Sequence, residues 1–95
     1  MTARAVIAET SVPRLPRGTR LKHDETRGQW VILAPERLFV LDETAHAIMS
    51  SVDGTASVGA IVDELAARFE APREVILSDV IALLQDFADK GVIAA

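Results

Sequence analysis

The chain has 95 residues, 49% of them hydrophobic, no cysteine and a formal net charge of −4. This describes one domain with a modest core, too apolar for disorder and lacking the thiols of a disulfide framework, a thiolate metal site or a thiol nucleophile. No apolar run approaches the roughly 20 residues of a membrane span, and Met1-Thr2-Ala3-Arg4 opens no secretory signal, so a cytoplasmic protein away from membranes is expected.

The charge is unevenly placed. Residues 1–41 carry seven basic and four acidic groups, a net of +3, whereas residues 42–95 carry three basic and ten acidic ones, a net of −7. The second half therefore repels nucleic acid and anionic lipid and attracts basic partners.

Met1 to Val12 shows no sustained period, and Pro13 and Pro16 bracket an extended or turn-like segment. Residues 1–12 are expected to be a flexible tail, and residues 13–95 a single folded domain. A first strand is expected over about residues 19–24, leading through Glu25-Thr26-Arg27-Gly28 into Trp30-Val31-Ile32-Leu33. This second strand, over 29–34, and a third over 37–41 form a hairpin around Ala34-Pro35-Glu36-Arg37. Neither run of the hairpin alternates cleanly, so the sheet carries apolar side chains on both faces and the second face needs its own cover.

From Asp42 the period becomes helical. Asp42 is placed to cap a helix carrying Ala45, Ile48, Met49 and Val52 until Asp53-Gly54, and Ser57 to cap a second with Val58, Ile61, Leu65 and Phe69. After the Glu70-Ala71 break, Pro72 opens a third and longest helix, whose stripe of Ile76, Val80, Leu83, Leu84 and Phe87 runs to Lys90-Gly91. Val75, Leu77 and Ile81 widen that stripe beyond one packed face, so this helix is expected to meet the core and a second surface. The order is α+β, a winged helix-turn-helix in which a three-stranded antiparallel sheet is followed by three helices.

Few residues offer chemistry. His23 and His46 lack the spacing of a metal site, and no metal or other cofactor is expected. Asp42-Glu43 and Asp63-Glu64 are adjacent pairs that diverge on a helix, and the dispersed glycines and serines build neither a phosphate loop nor a nucleophile elbow. The expectation is a protein that is not an enzyme. A DNA-binding winged helix is the alternative, resting on Arg20, Lys22 and Arg27; the acidic Glu74, Asp79, Asp86 and Asp89 of the third helix oppose it. What remains is peptide recognition along the edge of the strand Arg37–Leu41, with the third helix walling a groove, against the simpler reading that strand and helix pack on one another.

Several stretches taken together carry a resemblance. The run Arg20-Leu21-Lys22-His23-Asp24-Glu25-Thr26-Arg27-Gly28-Gln29-Trp30, then Leu33-Ala34-Pro35-Glu36-Arg37, Leu41-Asp42-Glu43-Thr44-Ala45, the Asp53-Gly54 turn, and Asp79-Val80 with Leu83-Leu84 resemble the PqqD family, pyrroloquinoline quinone biosynthesis protein D, over about residues 13–93. The resemblance implies a RiPP recognition element, a peptide chaperone that binds the PqqA precursor peptide and presents it to the radical SAM enzyme PqqE. It implies that the peptide adds as a strand along Arg37, Leu38, Phe39, Val40 and Leu41, with Ile76, Asp79, Val80, Leu83 and Leu84 contributed by the third helix. Family members also occur fused to another biosynthetic module, and Met1 to Val12 has the look of a detached junction.

Overall fold

The computed structural model describes residues 5–95. Its elements are β1 (Arg20–Asp24), β2 (Gln29–Ala34), β3 (Arg37–Leu41), α1 (Glu43–Ser50), α2 (Val58–Phe69) and α3 (Arg73–Asp89). The three antiparallel strands lie in the order β1-β2-β3, followed by the three helices, which is the expected α+β arrangement.

Local chemistry explains each boundary. The Asp24 carboxylate accepts from the Thr26 and Arg27 N–H groups at 3.1 and 3.3 Å and, with Gly28 at φ +66°, turns β1 into β2. Pro35 and Glu36 join β2 to β3 with Glu36 at φ 60°, the pattern of a type II turn with proline in its first central position. Asp42 caps α1 by accepting from the Ala45 N–H at 2.7 Å, and Ser57 caps α2 by accepting from Ala60 at 3.1 Å.

The end of α2 is less well matched to its sequence. Ala71 N–H donates to the Ala66 carbonyl and Glu70 N–H to that of Ala67, the paired bonds of a Schellman ending, which holds Glu70 at φ 50° where glycine is the usual occupant. Glu70→Gly should therefore raise the unfolding free energy by about 0.5–1 kcal/mol, read from the urea midpoint. A lowered midpoint would show that the carboxylate contributes more than the backbone relief.

One apolar core fills the space between sheet and helices. Ile32 and Leu41 of the sheet meet Ile48 and Met49 of α1, Val58, Ile61, Val62 and Leu65 of α2, and Val80, Leu84 and Phe87 of α3. Val92 and Ile93 close it from the C-terminal side, where Arg14 and Ala94 exchange backbone hydrogen bonds of 2.8 and 2.9 Å.

The flexible tail expected over residues 1–12 is met by a different arrangement in its described part, residues 5–12; residues 1–4 lie outside the described residues. Ile7 is only 4% exposed and joins the core, while its N–H donates to Gln85 Oε1 at 2.9 Å and Gln85 Nε2 donates to the Ala5 carbonyl at 2.8 Å. The carbonyls of Ser11 and Glu9 accept from the N–H groups of Val58 and Gly59, which α2 itself leaves without partners. Arg73 bridges Glu9 at 2.8 Å and Asp63 at 2.6 Å, and the Glu9 and Asp63 hydrogen bonds push its pKa further up. All three side chains of that triad are well exposed, so the bridges add little. Burial of Ile7, on the order of 1.5–3 kcal/mol, and the filled helix end are what offset the cost of ordering this segment.

Candidate functional site

Among the described residues, the strand order leaves β3 with a neighbour on one side only. In its pairing with β2, Arg37 faces Ala34, Leu38 faces Leu33, Phe39 faces Ile32, Val40 faces Val31 and Leu41 faces Trp30. The pair Ala34 and Arg37 closes the two-residue turn with its polar groups directed inward. Alternation then turns the backbone groups of Phe39 and Leu41 toward β2 and those of Leu38 and Val40 toward the open edge. Among the described residues, no backbone hydrogen bond outside the sheet involves Leu38 or Val40.

Side chains alternate between the two faces of the sheet. Leu41 is buried and Phe39 half-buried on the face toward the helices, whereas Leu38 and Val40 stand 54% and 58% exposed on the other face. Those two continue rows begun by Arg20 and Leu33, and by Lys22 and Val31. Val31 is buried and the pair at β3 is open, so the second apolar face of the hairpin is covered only in part.

Across from this edge, α3 presents the stripe Ile76, Val80, Leu83, Phe87 and Lys90, spaced alternately by four and three residues and so aligned on one side of the helix. Strand and helix are tied at one end. The Phe39 and Phe87 rings lie 5.7 Å apart, and Arg37 Nη1 donates to the Lys90 carbonyl at 2.7 Å, satisfying a carbonyl just past the end of α3. Arg37 and Lys90 also bring their cationic groups to 5.6 and 5.8 Å from the Phe39 ring centre.

The structure therefore divides the expected site residues. Val80 and Leu84 of α3 and Leu41 of β3 are core side chains. Arg37 and Asp79 are exposed, Phe39, Ile76 and Leu83 half-buried, and Leu38 and Val40 offer edge backbone while their side chains lie on the outer face.

Sequence reasoning missed two further features. Trp30 is sandwiched between His46, stacked at 4.2 Å, and His23, tilted at 4.8 Å. One signal for it was present, since His23 and Trp30 fall opposite each other once the first hairpin is in register. The second is an open cleft of about 690 Å³ between α1, the end of α2 and the start of α3, floored by Ile48, Leu65 and Val80. It had no sequence signal, because its walls come from three separate elements.

Residues 29–93 match the family model described as Coenzyme PQQ synthesis protein D (PqqD). The PqqA binding protein of Bradyrhizobium diazoefficiens is 56% identical over 85 residues, covering 90% of this chain and 82% of that protein. The PqqA binding protein of Gluconobacter oxydans is 47% identical over 88 residues, covering 93% and 92%. The solution NMR structure of the PqqD truncation of Methylobacterium extorquens PqqCD, described as a functional and stand-alone RiPP recognition element, is similar with a TM-score of 0.81 at 40% identity, over 94% of this chain and 95% of that one. The crystal structure of PqqD from Xanthomonas campestris gives a TM-score of 0.61 at 42% identity, over 94% and 99%.

Proposed function

This chain belongs to the PqqD family, and from that premise we propose that it is a noncatalytic peptide carrier that binds the PqqA precursor peptide as an added strand on β3 and presents it to the radical SAM enzyme PqqE. The observation that carries the reading is the open edge of β3, with the backbone groups of Leu38 and Val40 directed away from the sheet. A strand seated there gains main-chain hydrogen bonds, each worth about 0.5–1.5 kcal/mol net, while side-chain pockets select its sequence.

Added strands alternate their side chains like any other. One set would point between Phe39 and Leu83 and the other would extend the outer rows ending in Leu38 and Val40. The peptide segment should accordingly be apolar at alternate positions on the groove side. The protein's part is to hold a flexible substrate in extended form; the bond-forming chemistry belongs to the partner enzyme. Among the described residues, no helix is long and apolar enough to cross a membrane, and a cytoplasmic setting suits a carrier that meets its peptide soon after synthesis.

Titration of the isotope-labelled chain with PqqA peptide tests this directly. Backbone amide shifts are expected along Arg37–Leu41 and on α3. Shifts confined to β1 or to residues 5–12 would overturn the groove, and absence of binding would overturn the function.

A further inference from the structure

α3 reaches beyond the end of β3. Leu41 ends β3, Asp42 caps the next helix, and Glu43 already lines the cleft between α1 and α3. α3 borders both regions: at its C-terminal end Phe87 and the following Lys90 stand against Phe39 of β3, and at its N-terminal end Ile76, Asp79 and Val80 line the cleft. From Ile76 to Lys90 this wall is about 21 Å long, room for roughly six extended residues, and β3 borders only part of it.

The cleft has its own chemistry. Its floor is apolar, its mouth carries the half-exposed ring of Phe69, and Arg68, which lies 4.9 Å from that ring, is paired with Glu64 at 4.0 Å. Glu43 of α1 and Asp79 of α3 both line the cleft, and neither has an ion-pair partner among the described residues.

We infer that the cleft is a second subsite for the same peptide, taking the residues that run past the Leu41 end of β3, with an apolar side chain on the floor and a basic one between Glu43 and Asp79. This rests on the proposed strand addition at β3. α3, shared by the β3 edge and the cleft, points to the same occupant, and Glu43 and Asp79, against the single Arg68 that Glu64 already pairs, set its charge. The peptide is then read in two modes, by backbone at β3 and by side-chain size and charge in the cleft.

The test uses the full chain and full-length PqqA peptide, with amide shifts mapped by NMR and affinity measured by calorimetry for wild type, the double variant Glu43→Gln/Asp79→Asn, and Ala47→Trp, which fills the cleft. The expected result is amide shifts at Ala47 and Phe69 together with those of β3, and affinity about five- to tenfold weaker in the double variant. Ala47→Trp should weaken binding further, its fold verified by thermal unfolding. Shifts along β3 with a silent cleft, or unchanged affinity in the double variant, would overturn the inference and leave strand addition standing. Cleft shifts without β3 shifts, or no shifts at all, would remove strand addition and the subsite with it.

Discussion

Replacing Val40 by proline should weaken PqqA peptide binding by about 1–3 kcal/mol, roughly five- to 150-fold, while the chain remains folded. The register makes this a clean substitution. Val40 is a residue whose backbone faces the open edge, so proline removes an N–H that β2 does not use. Its side chain is 58% exposed on the outer face, so little packing is lost. Proline also fixes φ near −65°, away from the usual strand value, and part of the measured loss will come from the strained edge. Thermal unfolding separates the two contributions. An affinity equal to wild type in a folded variant would rule out strand addition at this position.

The largest effect on stability is expected at Leu84. Its side chain is fully buried, and Leu84→Ala should cost about 2–5 kcal/mol, a large share of what holds a domain of this size together. Leu83, its neighbour in sequence, is half-buried and lies four residues before Phe87, so it shares the side of α3 that meets Phe39 of β3. Leu83→Ala should cost less than about 1.5 kcal/mol in stability and act on peptide affinity instead. Urea unfolding of both variants, with calorimetry on whichever stays folded, assigns the two leucines. A stable Leu84→Ala protein with impaired binding would reverse the assignment and place Leu84 against the peptide.

These adjacent leucines show where legibility in the sequence ended. The elements were readable because apolar runs of strand length give way at Asp42 to helical spacing, and because Asp42 and Ser57 carry side chains that cap helices wherever they precede such a pattern. The breadth of the α3 stripe also signalled a helix with two faces to satisfy. Which residue served which face was not encoded locally. Ile76, Val80, Leu83 and Leu84 are all strongly apolar, and only the packing of α3 on α2 and the rest of the core decides that Val80 and Leu84 point inward. The packing of residues 5–12 was hidden for a related reason. Ile7 sits in the short apolar run Ala5-Val6-Ile7-Ala8, which has no period to single out a buried position, and its polar partner Gln85 is 78 positions away. Glu70 gave no warning either, since a helix end in a left-handed conformation is normally announced by glycine.

The ring sandwich of His23, Trp30 and His46 has a practical side. Trp30 is the only tryptophan and the chain has no tyrosine, so ultraviolet emission from this protein comes almost entirely from one indole. That indole touches β1 through His23 and α1 through His46, so its emission reports whether helix and sheet are still assembled. Unfolding parts the rings and wets the indole, changing both brightness and colour. Apart from Ala47→Trp, which adds a second indole, the variants discussed above leave the three rings unchanged, so their stabilities can be compared by native light alone, with no label added.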